Sequence, residues 1–279
     1  MISRQIKNDI KFIASLVYGV FSFKSSKRIQ IPILCYHSVQ ESNNFEGDSL
    51  KPSEFENHLK YLKKNHTIIS LEDAFKFISK GDTSVVNPVV ITFDDGYEDN
   101  YNIAFPLLKK HESHATFFVV TSFIDGDILL IDDPSFNSAS WEQICEMDAS
   151  QFIDIGAHTD THRLLSKISD KEIEQEIYLS KEKLENKLGH NINLFAYPNG
   201  QKQDIPGHAV EIVKKAGFNC ACSTYWRTTH CSDEVFELGR VMMSGGDSVQ
   251  SLKSKVNGNF NYIYWIQEFK LIISGLLRK

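Results

Sequence analysis

The chain alternates between short runs of apolar, β-branched residues and longer stretches in which apolar residues recur every three or four positions. The short runs predict buried strands, because they are bounded by glycine, proline or polar clusters. These predicted strands lie at 31–36, 89–93, 115–120, 153–157, 194–196, 218–223 and 237–243.

The longer stretches between these runs predict helices, since each carries one apolar face and a start or stop signal. Five helices are expected. The first is capped by Ser53, the second runs from Ser70 and Asp73 to Gly81, and the third covers 103–110. The fourth runs from the capping box of Ser169 and Glu172 to Gly189, and the fifth covers 210–216. Strands that alternate with helices predict a parallel α/β fold.

Two acidic residues follow the second predicted strand directly. Asp94 and Asp95 end the run Val-Val-Ile-Thr-Phe and precede Gly96. Neighbouring side chains on a strand point to opposite faces, so both carboxylates can serve one site only where the chain turns. Two carboxylates held together repel each other unless a cation or a shared proton offsets the repulsion. A solvated Asp-Asp-Gly turn is the alternative interpretation of these residues alone.

A pair of histidines follows the strand predicted at 153–157. His158 and His162 are four residues apart, just past the strand end, where both imidazoles can turn toward one cation. Together with one carboxylate they would make a two-histidine, one-aspartate site with coordination positions open for water and substrate. A histidine pair at this spacing is also common by chance, so the prediction depends on its combination with the aspartates.

These segments resemble the polysaccharide deacetylases of the NodB-homology type, the family-4 carbohydrate esterases. The resemblance rests on Thr92-Phe93-Asp94-Asp95-Gly96-Tyr97, on His158-Thr159-Asp160-Thr161-His162 and on Tyr197-Pro198-Asn199-Gly200. The stretch at 33–39 resembles the opening strand of a subgroup that deacetylates exopolysaccharides such as poly-N-acetylglucosamine. Most of the chain, about 31–256, takes part in the resemblance.

The resemblance implies a distorted (β/α) barrel of about seven parallel strands, with the site at the carboxyl ends of the strands. It implies that Asp95, His158 and His162 hold one divalent metal, with Asp94 as the catalytic base. Zinc is expected, and nickel, cobalt or iron are alternatives, because affinity order alone does not fix the metal.

Further roles follow from the same resemblance. The backbone N–H of Tyr97 would help to hold the oxyanion. Tyr197 and Pro198 would line the acetyl and sugar pocket, and Trp141 would stack on a sugar ring, with helix-core packing as its alternative. Together these roles imply an enzyme that removes N-acetyl groups from N-acetylhexosamine residues of a glycan, an exopolysaccharide or a lipopolysaccharide precursor.

The sequence departs from the family pattern at two points. The arginine that many members carry shortly before the Tyr-Pro motif is absent, and Arg240 on the last predicted strand is a candidate to replace it, either against Asp94 or near the substrate; a surface ion pair is its alternative. The C-terminal histidine is also absent. His37 follows the first predicted strand at the end that should open onto the site, and it is the proposed acid of the subgroup. His208 and His230 are the next candidates.

Composition sets further bounds. The 279 residues are 42% apolar, enough for a single barrel domain with a substantial core. A net charge of −6 with scattered basic residues argues against nucleic acid as a partner. Five cysteines without framework spacing predict reduced thiols.

Both ends of the chain are apolar or amphipathic. The expected organisation is an N-terminal segment over 1–30, a catalytic domain over 31–258 and a C-terminal amphipathic helix over 259–279. The apolar run at 12–23 is too short to span a bilayer and lacks a clear signal-peptide cleavage site. A cytoplasmic protein or one with peripheral membrane contact through its termini is expected; helices packed on the barrel are the alternative.

Three other functions share parts of this pattern. An amino-sugar deformylase acting on a lipid or nucleotide carrier would use the same site. A carbohydrate-binding domain with a decayed site would have no reason to keep both aspartates and both histidines. A two-histidine, one-carboxylate iron oxygenase is disfavoured, because those enzymes use strand-rich double-sheet folds and this chain has many helical stripes.

Overall fold

A computed structural model of the chain describes residues 28–41, 49–133 and 135–267. The strands are β1 (Ile29–Gln30), β2 (Ile33–Tyr36), β3 (Ser38–Val39), β4 (Ser49–Leu50), β5 (Thr67–Ile68), β6 (Pro88–Phe93), β7 (Ala115–Val119), β8 (Ile153–Ala157), β9 (Leu194–Ala196), β10 (Cys220–Cys222), β11 (Thr229–His230) and β12 (Val241–Met242). Seven of them form one curled sheet in the order β10-β9-β8-β7-β6-β2-β12, with β5 paired to β6. Every pairing in this sheet is parallel. The expected distorted barrel of about seven strands is confirmed, and its double-sheet rival is excluded.

Helices connect these strands. They are α1 (Pro52–Asn65), α2 (Leu71–Lys80), α3 (Phe105–Lys110), α4 (Thr121–Ile124), α5 (Trp141–Asp148), α6 (Asp170–Leu188), α7 (Gly207–Lys215) and α8 (Val249–Val256). A π-helical turn, Asn100–Ala104, precedes α3. The capping box of Ser169 and Glu172 is confirmed at the start of α6, where Gly189 ends the helix at φ +78°. Ser53 is not a cap, because α1 begins one residue earlier, at a proline preceded by Lys51.

The two edges of the curled sheet meet at Leu238. Its N–H donates to Ala221 of β10, and its carbonyl oxygen accepts from the N–H of Ser223. Three residues later, Val241 pairs with Leu34 of β2 at the opposite edge. The chain therefore crosses the closure within a few residues. Because this segment switches partners, the strand predicted at 237–243 reduces to the two residues of β12.

Each main strand packs both of its faces. The outer-face cluster includes Leu34, Phe93 and Phe195 and packs against the apolar stripes of α1 and α6. The inner-face cluster includes Val90, Phe118 and Leu194, and α2 contributes to it through buried Leu71, Ala74 and Ile78. Alternation along β6 therefore directs Val90, Thr92 and then Asp94 to the inner face.

The expectations for the termini concern residues that lie mostly outside the described ones, namely 1–27 and 268–279, and they stay predictions. Among the described residues, no helix is both long and apolar enough to cross a membrane. All five cysteines are free thiols, as expected, and Cys220 and Cys222 pack in the inner-face cluster.

We expect Gly156→Ala to destabilise the protein, because Gly156 of β8 leaves no room for a methyl group. An added Cβ would lie 2.6 Å from two ring carbons of Phe118, which is fully buried. Overpacking of this kind costs about 1–3 kcal/mol of the free energy of unfolding, measurable by urea denaturation. The control is Gly207→Ala at the exposed start of α7, where an added Cβ meets nothing within 4 Å. Equal stability of the two variants would contradict this packing.

Candidate active site

Two carboxylates stand at the carboxyl end of β6, where the strand turns. The N–H of Asp94 donates to the carbonyl oxygen of Tyr36 (3.0 Å), so Asp94 still belongs to the parallel ladder. Asp95 then adopts φ +78° and Gly96 φ +87°. This left-handed backbone turns the Asp95 side chain away from the opposite face that a strand would give it. His158 Nε2 consequently lies 3.8 Å from Asp94 Oδ2 and 3.6 Å from Asp95 Oδ1.

The two histidines follow β8 at the same end of the sheet. His158 Nδ1 lies 2.8 Å from the carbonyl oxygen of Ala196, which can only accept, so Nδ1 carries the proton. Its Nε2 lone pair therefore faces the carboxylates. His162 Nε2 lies 3.5 Å from Asp95 Oδ1, and the two imidazole centroids are 4.9 Å apart. The structure thus brings Asp95, His158 and His162 together.

This cluster fits a divalent metal ion. One donor atom from each of Asp95, His158 and His162 lies within 4.8 Å of the others. Burial lowers the pKa of His158 to about 4, against the opposing effect of Asp94. The imidazole is therefore neutral near pH 7 and offers a lone pair, which is what a metal ligand requires. The hydrogen bond from Nδ1 to Ala196 fixes the ring, as the second hydrogen bond of metal-bound histidines usually does.

Asp94 is held by an arginine from the far side of the barrel. Arg240 donates to Asp94 Oδ1 and Oδ2 at 2.6 Å each, to Thr92 Oγ1 at 3.2 Å and to the carbonyl oxygen of Ser223 at 3.0 Å. Burial alone would raise the pKa of Asp94, but the Arg240 guanidinium outweighs it and holds the pKa well below its usual range. Asp94 therefore stays ionised and fixed in orientation.

The position of Arg240 follows from the closure of the sheet. Its neighbour Gly239 lies so close to the preceding loop that an added Cβ would be 2.5 Å from Arg227 Cγ. Arg240 has 0% exposure, and its guanidinium lies over the ring of Phe118. The expected contact with Asp94 is present, whereas a surface ion pair and a direct substrate contact are both wrong for a side chain without exposed surface.

His37 lies beside Asp94, at the end of β2. A nitrogen of its imidazole, the Asp94 carboxylate and the thiol of Cys35 lie within 4.8 Å of one another. These three groups do not suit a second cation, because Arg240 already neutralises Asp94 and burial raises the pKa of the Cys35 thiol well above its usual value. The arrangement instead leaves His37 near the catalytic candidates, and its role as an acid stays a prediction.

The two alternative acids lie elsewhere. His208 is exposed on α7 and pairs with Asp170 at 2.9 Å. His230 is buried in β11, paired with Ile29 of β1, and its Nε2 contacts the carbonyl oxygen of Ile31. Burial lowers the pKa of His230 to about 3. Of the three histidines, only His37 stands next to Asp94.

The residues expected to contact the sugar divide into two groups. Tyr197 packs its ring edge-on against Phe195 at 5.1 Å and is 1% exposed, so it belongs to the outer face. Its assignment to the sugar pocket is therefore wrong for the side chain. Pro198 follows at the carboxyl end of β9 and is buried.

Trp141 begins α5, and Tyr97 follows the turn at the end of β6. The indole N–H of Trp141 donates to Asp125 at 2.8 Å, and Lys187 lies 5.3 Å from the ring centroid. The Tyr97 ring packs edge-on against Phe123 and Phe136, while its backbone follows the Asp95–Gly96 turn. Stacking of a sugar on Trp141 and an oxyanion role for the Tyr97 N–H stay predictions.

Two polar contacts of this site were not anticipated from the sequence. The Cys35 thiol lies 3.4 Å from Asp94 Oδ2, and Glu176 of α6 contacts the loop between the two histidines. Cys35 gives no signal of its own in an apolar strand. Glu176 does give one, because it is a charged residue on the apolar stripe of Ile173 and Ile177.

Comparison with known proteins identifies the family. A family model described as "Polysaccharide deacetylase" matches residues 82–221, which is half of the chain. The chain belongs to the polysaccharide deacetylase family. The matched span contains Asp94, Asp95, His158 and His162, whereas His37 and Arg240 lie outside it. The chain is accordingly a deacetylase, a hydrolase.

Individual relatives extend the similarity over most of the chain. YxkH of Bacillus subtilis (strain 168) is 29% identical over 226 residues, 81% of this chain and 75% of that protein. A poly-β-1,6-N-acetyl-D-glucosamine N-deacetylase of Staphylococcus aureus (strain MSSA476) is 25% identical over 234 residues, 81% of this chain and 77% of that protein. The solved structure of Streptococcus pyogenes deacetylase PplD, in complex with acetate, has a TM-score of 0.72 at 24% identity and covers 82% of this chain and 99% of that one. At that identity PplD supports the fold alone.

We expect Arg240→Met to destabilise the deacetylase strongly, because it leaves the Asp94 carboxylate buried without a partner. Loss of one partner of a buried ion pair costs about 3–5 kcal/mol of the free energy of unfolding, measurable by urea denaturation. The folded-state pKa of Asp94 is lowered, so the contribution of the pair is present above the ordinary carboxyl pKa and is lost as the pH falls below it. The difference from wild type should therefore narrow in acid.

A matched control for this variant is Arg163→Met. Arg163 pairs with Glu172 at 3.0 Å, but its side chain is 48% exposed, and such pairs contribute about 0–1 kcal/mol. A small, pH-independent effect of Arg240→Met, similar to that of the control, would contradict the role of Arg240.

Proposed function

We propose that this deacetylase is metal-dependent and removes N-acetyl groups from N-acetylhexosamine residues of a glycan. The observation that carries the proposal is the convergence of Asp95, His158 and His162 beside the ionised, fully oriented Asp94. The 25% identity to a poly-β-1,6-N-acetyl-D-glucosamine N-deacetylase supports a polymer of N-acetylglucosamine as the substrate class. Zinc is the proposed metal, since mixed imidazole and carboxylate ligands suit it and amide hydrolysis needs no redox chemistry.

The protein groups divide the chemistry among themselves. Asp95, His158 and His162 would hold the metal, which when bound supplies Lewis-acid polarisation of the acetyl carbonyl and lowers the pKa of water. Asp94 accepts a proton from the attacking water, while Arg240 keeps its carboxylate in place. The N–H of Tyr97 donates to the oxygen of the former carbonyl as negative charge develops there.

The departing amine needs a proton, because an amide anion is a poor leaving group near neutral pH. His37 is the proposed donor, because it lies beside Asp94 and is not one of the proposed metal ligands. Water adds to the carbonyl carbon, the carbon–nitrogen bond breaks, and the proton from His37 goes to the sugar nitrogen. The products are acetate and a free amino sugar.

Substitution of the two aspartates should have different effects, one on metal binding and the other on turnover. Asp95→Asn weakens metal binding, because a ligand must remain ionised against the cation. Asp94→Asn should retain metal and lower kcat by about 10²–10⁴-fold, because an amide cannot accept the proton of water. Elemental analysis and acetate release from N-acetylglucosamine oligosaccharides measure the two effects. The reverse pattern would mean that the carboxylates have exchanged roles.

The same assay distinguishes the substrates. Acetate release that a chelator abolishes and zinc restores supports the proposal. Turnover confined to N-formyl amino sugars on a lipid or nucleotide carrier, with formate as the product, would replace it by the deformylase alternative.

We expect His37→Gln to bind metal as the wild type does and to lower kcat by about 10²–10⁴-fold, because glutamine cannot donate the required proton. The alkaline limb of the pH profile should flatten at the same time. His190→Gln is the matched control, since His190 is exposed and pairs with Asp148 at 2.8 Å, away from the site. A His37→Gln enzyme with the kcat of this control would remove His37 from the mechanism.

A further inference from the structure

The loop that carries both histidines has an unfavourable backbone. Thr159 has φ +67° and His162 φ +58°, both in the left-handed region that non-glycine residues rarely adopt. Such conformations cost free energy and persist only where surrounding contacts enforce them. Within the loop, the N–H of His162 donates to Thr159 Oγ1 at 3.1 Å. The remaining restraints come from neighbouring helices.

Glu176 supplies the first of these restraints. Its Oε2 accepts from the backbone N–H of Asp160 at 3.1 Å and of Thr161 at 2.8 Å, and its Oε1 accepts from the Thr161 hydroxyl. Glu176 is 6% exposed, and its carboxylate accepts both the N–H and the hydroxyl of Thr161, whereas the Asp160 N–H also lies 3.1 Å from the backbone carbonyl oxygen of Glu176. One side chain of α6 thus fixes the two residues midway between His158 and His162.

Lys183 supplies the second restraint, two turns further along α6. Its ammonium lies 2.8 Å from Asp160 Oδ1 and 2.7 Å from Asp125 Oδ2. The hydroxyl of Thr121 donates to the same Asp160 oxygen at 2.6 Å. Asp160 is 7% exposed, and its backbone carbonyl accepts from the N–H of Ser122 at 2.8 Å. The loop is therefore tied to α6 and to the start of α4.

We propose that Glu176 and Lys183 are positioning residues for the metal site. They act by holding the loop in the conformation that aims His158 and His162 at Asp95. This inference rests on the proposed metal-dependent function. Neither side chain has a contact with Asp94, Asp95 or the two imidazoles among the hydrogen bonds and ion pairs of the described residues, so each would act through the Asp160–Thr161 backbone and side chains.

A preformed loop matters because metal affinity includes the cost of arranging the ligands. If the loop relaxes to ordinary backbone angles in the apo-protein, binding must restore the left-handed conformation at Thr159 and His162. The affinity then falls by the free energy of that rearrangement. Loss of outer-shell support for metal ligands typically lowers affinity by about 10–100-fold.

The test measures zinc affinity of the full-length apo-protein by competition with a chromogenic chelator. Measurements are made well below the unfolding temperature of every variant, which circular dichroism establishes separately. Glu176→Ala should weaken zinc binding by about 10–100-fold. Glu176→Gln should largely restore the affinity, because its carbonyl oxygen can accept from both N–H groups while its amide donates to the threonine hydroxyl. Glu174→Ala, an exposed position on the same helix, is the control and should bind zinc as the wild type does.

The outcomes separate the two proposals. A wild-type protein that binds no divalent metal overturns the proposed function and this inference with it. Wild-type affinity in folded Glu176→Ala overturns the inference alone, and so does a loss that Glu176→Gln does not recover. If Glu176→Ala does not fold, Lys183→Met decides, because Lys183 is partly exposed and its loss removes one of the donors to Asp160 Oδ1. Lys183→Met with the affinity of the wild type then refutes the positioning role.

Discussion

The bidentate contact between Arg240 and Asp94 is the interaction on which the rest of this site depends. It joins the strand that begins the site to the segment that closes the sheet, and both side chains are buried. An ionised carboxylate would be costly there without its partner, and an arginine without the carboxylate equally so. The closure of the sheet at Leu238 places Arg240 two residues later, against Asp94, so the charged Asp94 depends on the closed sheet.

Backbone strain is concentrated at the carboxyl ends of the strands. Within the described part of the chain, six non-glycine residues have positive φ, and four of them, Asp95, Thr159, His162 and Asn199, lie in the turns that follow β6, β8 and β9. A strand alone would send neighbouring side chains to opposite faces, so each turn uses left-handed backbone to redirect one of them. Hydrogen bonds between neighbouring strand ends stabilise these left-handed conformations. One example is the bond from His158, after β8, to the carbonyl oxygen of Ala196 at the end of β9. The ligand geometry is thus a property of several strands together.

Local signals in the sequence predicted a large part of this structure. Three features could each be recognised within a single short segment: the capping box of Ser169 and Glu172, the strand before Asp94, and the spacing of the two histidines. The structure confirms all three at the predicted positions. Apart from the cap at Ser53, the misplaced assignments depend on distant contacts. The outward direction of Tyr197 depends on register with β10, and the shortness of β12 depends on the change of partner at Leu238. The burial of Arg240 is set by closure, which no local pattern encodes. Glu176 could have been identified from the sequence, because it is a charged residue on an apolar helical stripe.

The orientation of Asp94 also identifies which of its oxygens can serve as the base under the proposed function. Oδ1 accepts from the same Arg240 nitrogen that contacts Thr92, so it points into the barrel. Oδ2 accepts from the other guanidinium nitrogen but also lies 3.8 Å from His158 Nε2, on the side of the metal ligands. Proton transfer is therefore expected at Oδ2. The Cys35 thiol also contacts Oδ2, at 3.4 Å, from the end of β2. Water held at the proposed metal site would approach Oδ2 from the side of His158 Nε2, which would align the attacking oxygen with the base that deprotonates it.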